Sequence, residues 1–366
     1  MKKKYIALSI SIIIIISILA IIIKNNNKEY IMQDGVMLAL TLDGEKITEY
    51  PEGTNYGVEI NCENGKGKWL VEEWKLAVEE ITGNVVCNID FTSNPKSLKS
   101  KVEEVNVNNN FDNNGYRYSG RQPNNYIWFN NEMWRIIGSI PTCLTATCGT
   151  NTTNLVKIIR NDSIGGISND GNSSTGAWGS NTLYTLLKTY YLGKGNASGT
   201  SYCYTRSTTA IGYAKCDYRV KGIGSTSYYG KMIKNVYWNT GASDNSVNAV
   251  TAYTNEIATR TVSGKVGLMT ASDYGYATSS SYHSVVMSNK NASRTSENWL
   301  GGQAYEWTSI QGVDYTVFAL YIDDTGVLKE DNAHYGYAVR PVVYLDSSVY
   351  IISGDGSITN PYQIGM

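Results

Sequence analysis

The sequence predicts an N-terminal transmembrane helix, then a small all-β sandwich, then a larger α+β domain rich in hairpins. Three observations predict this class. Nineteen residues, from Tyr5 to Ile23, contain no charge. Beyond them, apolar and polar residues alternate with a period of two between turn sequences such as Asp43-Gly44, which is typical of half-buried strands. Six cysteines form three local pairs, a pattern typical of exported proteins.

Residues 1–24 are predicted to be a transmembrane signal anchor. A helix over residues 5–23 would be about 28 Å long, close to the thickness of the bilayer hydrocarbon. Lys2, Lys3 and Lys4 precede it, so we expect a cytoplasmic N-terminus and an extracellular bulk. A cleaved signal peptide is the alternative, but the apolar run is long and no Ala-x-Ala follows. No Glu precedes Lys24, which argues against a pilin-type N-terminus.

Composition limits the partners of the exported part. Without the four lysines of the anchor region, 27 basic residues face 32 acidic ones. This balance argues against a nucleic-acid binder, which would carry a basic stripe. Tyrosine occurs 29 times and phenylalanine 4 times. Tyrosine can be half buried with a wet hydroxyl, so the bias suits a surface that binds other molecules, although AT-rich coding would produce it too.

The cysteines are predicted to form disulfides within each local pair. No Cys-x-x-Cys occurs, so neither a zinc site nor a thioredoxin-like site is indicated. Closing the first loop would contribute roughly 3–4 kcal/mol and closing the short second loop about 2 kcal/mol. The predicted pairs are Cys62 with Cys87, Cys143 with Cys148, and Cys203 with Cys216.

The first domain follows a polar stalk, residues 25–30. Residues 31–92 are predicted to be a β-sandwich, with a hairpin turn at Asp43-Gly44 and strands rather than a helix over Lys68–Ile81. Residues 93–115 are predicted to be a linker, because they are first charged, then rich in Asn, and poor in apolar residues.

The second domain covers residues 116–366. Tyr126–Gly138 predicts a hairpin, and Ser180 is expected to cap a helix over Asn181–Leu192. Residues 194–262 are rich in Gly, Ser, Thr, Tyr and Asn, and a loop of that length is usually functional or disordered. Hairpins are predicted toward the end, with Ala338–Leu345 as one strand.

Several segments of this domain resemble a domain of unknown function found in exported proteins of Gram-positive bacteria. They are Asn125–Gly138, Lys265–Met269, Ser272–Thr278, Asn298–Leu300, Val339–Leu345, Gly354–Gly356 and Asn360–Tyr362. That domain is distantly similar to the fold of C-type lectins and formylglycine-generating enzymes. The resemblance implies a lectin-like α+β fold and display at the cell surface, and it implies no chemistry.

The chain offers little for catalysis or for metal binding. Its two histidines, His283 and His334, are expected to be solvated, and no Gly-x-Ser-x-Gly or His-Glu-x-x-His occurs. A penicillin-binding-like set of motifs near Ser93, Ser243 and Lys265 has the wrong spacing. No cofactor or metal is predicted.

The related folds suggest two further sites. Gln122-Pro123-Asn124 resembles a sugar-selecting triplet of calcium-dependent lectins, but it lies at the domain entrance without a Trp-Asn-Asp companion. Asp323, Asp324 and Asp355 are better explained as turn residues. Cys203 and Cys216 are the candidates for a catalytic cysteine if the chain is an enzyme of the formylglycine-generating type.

Exposed aromatic residues beside polar ones are the predicted ligand site, because such surfaces bind sugars and extended peptides. Trp134, Trp299, Trp307 and Tyr344 are instead expected in the core. The function predicted is non-catalytic recognition of a surface glycan or protein. The alternatives are a formylglycine-generating-type enzyme and a pilus or pseudopilus subunit. The candidate ligand residues are Tyr228, Tyr229, Tyr237, Trp238, Asn239, Asp244 and Asn245.

Overall fold

A computed structural model describes residues 30–53, 55–111, 114–205, 214–301 and 305–366. In it the chain is mostly β, with several sheets. It divides into two compact units, Met1–Pro95 and Lys96–Met366. The predicted anchor, residues 1–24, lies outside the described residues. Among the residues that are described, no helix is both long and apolar enough to cross a membrane.

The first unit contains a five-stranded sheet and a separate hairpin. In the sheet, strands β1, β2, β7 and β4 are neighbours in that order, and β3 pairs with β2. The hairpin consists of β5 and β6. The strands are β1 (Ile31–Gln33), β2 (Val36–Leu42), β3 (Glu45–Ile47), β4 (Gly57–Glu63), β5 (Lys66–Leu70), β6 (Lys75–Glu79) and β7 (Val86–Thr92).

The turn at Asp43-Gly44 is confirmed, since both residues have positive φ and β2 pairs with β3 across them. Strands over Lys68–Ile81 are confirmed as well. Trp69 of the hairpin is almost fully buried and meets Phe91 of β7 edge-on, with ring centroids 5.4 Å apart. The sequence does not predict that β2 and β7 pair in parallel, because alternation says nothing about strand direction.

Two larger sheets form most of the second unit. One has the order β15-β20-β11-β10-β8, with β9 on β10, and the other has the order β12-β19-β16-β17-β18. The strands are β8 (Tyr116–Arg117), β9 (Tyr126–Phe129), β10 (Glu132–Thr142), β11 (Thr153–Arg160), β12 (Gly166–Ser168), β13 (Val236–Tyr237), β14 (Ser263–Gly264), β15 (Val266–Gly267), β16 (Glu306–Gln311), β17 (Phe318–Ile322), β18 (Leu328–Asn332), β19 (Gly336–Ala338), β20 (Val342–Tyr344), β21 (Tyr350–Ser353) and β22 (Gln363–Gly365).

The expected single strand over Ala338–Leu345 is wrong, because β19 and β20 belong to different sheets. Pro341 lies between them and has no N–H to donate to a ladder. The side chain of Arg340 is buried there and binds the carboxylate of Glu306, with Nε 2.7 Å from Oε1. The chain therefore leaves one sheet and enters the other at this dipeptide.

Short helices connect the strands of the second unit. Helix α2 continues as a π-helical turn over Leu186–Tyr191, and its cap is Asn181 rather than Ser180, since the Asn181 side chain accepts from the N–H of Tyr184. The region 194–262 contains α3 and α4 rather than loops alone. The helices are α1 (Leu98–Val105), α2 (Thr182–Thr185), α3 (Tyr228–Met232), α4 (Ala249–Ile257), α5 (Ala271–Tyr276) and α6 (Ala292–Ser296).

Helix α1 lies within residues 93–115, which the sequence predicts to be a linker without a core. Leu98 and Val102 are fully buried and belong to the core of the second unit. They are four residues apart, so they share one face of the helix while the charged residues occupy the other. Two apolar residues at this spacing are enough to attach one face of the helix to the core, although residues 93–115 are polar on average.

Candidate functional site

A groove of about 400 Å³ opens on the surface of the second unit. Its walls come from the end of α1, from the loop between β8 and β9, and from the turn between β21 and β22. The residues that matter below are Lys101, Asn106, Tyr118, Asn124, Asp355 and Tyr362. We refer to this cavity as the polar groove.

Backbone hydrogen bonds join two of these walls, the loop between β8 and β9 and the turn between β21 and β22. The N–H of Tyr126 donates to the carbonyl of Gly356 at 2.8 Å, and Tyr362 donates to Tyr126 at 3.0 Å. Gly356 has φ +81°, and a Cβ there would lie 2.7 Å from the carbonyl oxygen of Asn124. Glycine is therefore required at this position, both for its left-handed backbone and because the loop between β8 and β9 approaches so closely.

The inner surface of the polar groove is aromatic. Tyr118 and Tyr362 are almost completely buried. Burial raises the pKa of both phenols, so both stay protonated and can donate hydrogen bonds. Beside them, the amide of Asn106 caps α1, where its Nδ2 donates to the carbonyl of Val102 at 2.9 Å.

The rim of the polar groove carries one charge of each sign. Lys101 lies on α1, and Asp355 lies in the opposite turn. Partial burial opposes ionisation of Asp355, but hydrogen bonds from the side chain and the N–H of Ser357 lower its pKa overall. The Ser357 N–H lies 2.8 Å from Oδ1. Asp355 is therefore a carboxylate at neutral pH, held in one orientation.

This combination suits binding of a polar ligand. The volume falls in the range of small-molecule sites, roughly 300–1,000 Å³. The two buried tyrosines form its floor, while the amide of Asn124 and the carboxylate of Asp355 supply hydrogen bonds in fixed directions. The residues that line the polar groove include neither histidine nor cysteine.

The aromatic residues predicted to bind a ligand are mostly core residues. Trp238 is 1% exposed, its Nε1 donates to the carbonyl of Gly264 at 3.0 Å, and its ring meets Tyr344 at 5.1 Å. Tyr229 is buried against Phe129. Both rings therefore belong to the core, and ligand binding by them stays a prediction. A Gly/Ser-rich context did not indicate exposure, because the packing partners come from distant strands.

The other predicted ligand residues range from exposed to buried, and none of them lines the polar groove. Tyr228 is exposed and Tyr237 is partly buried. Asn239 is buried, and its Oδ1 accepts from Nε of Arg260 at 2.8 Å. Asp244 caps its own turn through the N–H of Ser246, and Asn245 is partly buried beside it. For these five residues, ligand binding stays a prediction.

The disulfide predictions are confirmed. Cys62 pairs with Cys87, Cys143 with Cys148, and Cys203 with Cys216. The first bridge joins residues directly opposite each other on β4 and β7. Cys203 and Cys216, the candidates for a catalytic thiol, are therefore consumed in a bridge.

The expectation of solvated histidines is wrong. His283 is 6% exposed, and its ring lies edge-on to Phe111 with centroids 4.4 Å apart. His334 is 8% exposed, and its Nδ1 lies 2.9 Å from Oγ of Ser173. Both lie among Ser, Tyr and Gly in sequence, which suggested loops at the surface. Tertiary contacts bury them instead.

Two turn sequences gave a usable signal for the polar groove. Gln122-Pro123-Asn124 and Gly354-Asp355-Gly356 stand out in the sequence, and the structure brings Asn124 and Asp355 into the same cavity. Each of the two sequences is explained by itself as a turn. Only their proximity in the folded structure reveals the site. In the ranges that the structure describes, no group of three or more His, Cys, Asp or Glu side chains is arranged to hold a metal ion.

Comparisons with known proteins add no relative. No protein-family model matches the chain, and neither the curated proteins nor the solved structures contain a match. The resemblance to a domain of exported Gram-positive proteins therefore stays a prediction.

Proposed function

We propose that this protein is a single-pass surface protein, anchored by residues 5–23 with its N-terminus in the cytoplasm. In this proposal the first unit is a β-sandwich spacer, and the second unit is a lectin-like, non-catalytic recognition domain. The charge-free N-terminal run supports the topology. The three disulfides support an oxidising compartment outside the cytoplasm.

The polar groove is the observation that carries the recognition role. It combines two buried tyrosines with amide and carboxylate groups on a fixed backbone frame. Sugars offer several hydroxyls in fixed directions, which match the exposed amide of Asn124 and carboxylate of Asp355. We therefore propose a glycan as the ligand and the polar groove as its site.

The experiment measures glycan binding by the full chain in detergent. An array identifies ligands, and the variant with Asn124→Ala and Asp355→Asn is then compared with wild type by calorimetry. We expect affinity to fall at least about tenfold, or about 1.4 kcal/mol. Asn at position 355 can still accept from the N–H of Ser357, so the turn should persist.

Asp324→Asn is the matched control, because Asp324 is exposed in a different turn. It should bind like wild type. Normal glycan affinity in the double variant would remove the polar groove from consideration as the binding site.

A further inference from the structure

One of the charges on the rim of the polar groove, that of Lys101, is not used in an ion pair with any described residue. Three lysines lie in or just before α1, and two of them form ion pairs with glutamates of that helix. Nζ of Lys96 contacts Oε2 of Glu104, and Nζ of Lys99 lies 3.7 Å from Oε1 of Glu103. Lys101 lines the polar groove instead, and no carboxylate oxygen of the described chain lies within 4.0 Å of its Nζ. This cation is therefore available to a ligand.

The geometry of α1 places Lys101 beside the cavity. Leu98 and Val102 share the helix face that packs on the core. Lys101 and Val105 are also four residues apart, so they share the adjacent face, and both line the polar groove. At about 100° per residue, Lys99 lies about 200° from Lys101 around the helix axis. The two lysines therefore point in nearly opposite directions, and of the two Lys101 alone borders the cavity.

The surroundings of Lys101 strengthen its attraction for an anion. Its side chain is partly buried, and the floor of the polar groove consists of the buried rings of Tyr118 and Tyr362. The attraction between opposite charges grows as the effective dielectric constant falls. The hydroxyl of Ser119 and the amide of Asn109 line the same cavity and can donate hydrogen bonds. Water therefore screens an anion in the polar groove less than one bound by a lysine on an open surface.

The opposite side of the polar groove carries a negative charge and does not suit the same group. The carboxylate of Asp355 leaves the charge of Lys101 free, because the two form no ion pair and Oδ1 of Asp355 accepts from the N–H of Ser357. Asp355 repels an anion and accepts from a hydroxyl, and the exposed amide of Asn124 can both donate and accept. A ligand therefore fits best with an anionic group toward α1 and with hydroxyls toward the turn between β21 and β22.

We propose that the polar groove selects acidic sugars, with Lys101 binding the carboxylate or sulfate of a glycan residue and Asp355 accepting from its hydroxyls. This inference rests on the proposed glycan-binding function. Both anionic groups carry a single negative charge, so one lysine matches either of them. A second anionic group on the same sugar residue would face Asp355 and be repelled. Lys101 is then the residue that determines specificity, because a neutral sugar has no charge to pair with it.

The test compares charged and neutral forms of the same oligosaccharides for binding to the full chain in detergent. The pairs are tetragalacturonic acid and sialyllactose, each with its carboxyl-reduced form, and sulfated lactose with lactose. Calorimetry should give an affinity at least about tenfold higher for the acidic member of at least one pair. The preference should shrink in about 1 M NaCl, where the Debye length is about 3 Å. Equal affinity within every pair overturns the proposal.

Lys101→Gln keeps most of the side chain and removes its charge. It should lower the affinity for the acidic member at least about tenfold and leave that for the neutral member unchanged. Lys99→Gln is the matched control, because Lys99 lies on the same helix, pairs with Glu103 and does not line the polar groove. Lys101→Arg keeps the charge and should keep the preference. A preference that survives in Lys101→Gln, or that disappears equally in Lys99→Gln, overturns the role of Lys101.

The double variant with Asn124→Ala and Asp355→Asn separates this inference from the proposed function. It should weaken binding of the neutral member, because it removes hydrogen bonds to hydroxyls, whereas Lys101→Gln should not. Binding of neutral glycans alone, still weakened in the double variant, would overturn acid selection and leave glycan binding by the polar groove in place. If no glycan of either kind binds, glycan binding is wrong and acid selection is wrong with it.

Discussion

The second unit holds two polar regions made from similar residues, and exposure separates them. The polar groove places Lys101 and Asp355 at the surface, above two buried tyrosines. The cluster around Asp273 places lysine, aspartate and tyrosine where solvent does not reach. At the surface, water screens each charge and a ligand can replace that water. In the interior, each charge depends on its neighbours, so the side chains cannot be changed separately.

This contrast predicts that stability is concentrated in the buried cluster. Asp273→Ala leaves Lys157 and Arg117 buried without their carboxylate, and it also removes the capping box at α5. We expect the free energy of unfolding in urea to fall by about 3–5 kcal/mol.

Asp355→Asn is the comparison at the surface, and it should change the free energy of unfolding by less than about 0.5 kcal/mol. Equal losses in the two variants would mean that burial does not distinguish the two regions.

A smaller effect should appear in the pH dependence of stability. Burial raises the pKa of Glu256 to about 7 from its ordinary 4.5. Between these values the folded state holds a proton that the unfolded state has lost, so stability falls as the pH rises. The contribution is complete below about pH 4.5 and is lost as the pH passes 7. The change is about 3 kcal/mol at most.

Urea unfolding from pH 5 to pH 8 measures this effect. Other carboxyls also titrate, so the quantity to compare is the slope of wild type minus that of Glu256→Gln. We expect wild type to lose more stability with rising pH than the variant. Parallel slopes would place the Glu256 carboxyl in contact with water.

The smallest effect is expected at Tyr228. Its ring is exposed beside the buried ring of Tyr229, with centroids 5.3 Å apart. Tyr228→Ala should lower the free energy of unfolding by less than about 1 kcal/mol, whereas Tyr229→Ala should cost about 3 kcal/mol. Because Tyr228 does not line the polar groove, its removal should leave glycan affinity unchanged in calorimetry. A loss of affinity would extend the binding surface to α3.

Local features of the fold could be predicted from the sequence, and long-range ones could not. The turn at Asp43-Gly44 and the hairpin over Tyr126–Gly138 follow from nearest neighbours. The break at Pro341 depends on two sheets that form from distant strands. Helix α1 depends on two residues, Leu98 and Val102, whose apolar character the surrounding Asn and Lys obscure.

The candidate sites show the same limit. Asn124 and Asp355 are more than two hundred positions apart, and no pattern along the chain connects them. Lys157 interrupts an apolar run over residues 155–159, and such an interruption is a signal of a buried charge. The small and polar residues that follow Trp238 in sequence predict an exposed ring. Its neighbours in space are Lys157 and Tyr344.

The parallel pairing of β2 and β7 has a mechanical consequence. β2 lies near the beginning of the first unit and β7 near its end, and Met37–Leu42 of β2 pairs in parallel with Val86–Phe91 of β7. Tension applied to the two ends of the unit pulls these strands in opposite directions along their own axes. All hydrogen bonds of that ladder then share the load at once, instead of opening one after another as in an unzipping hairpin. The Cys62–Cys87 bridge ties β7 covalently to β4, so β7 and β4 stay joined while the parallel ladder carries the load.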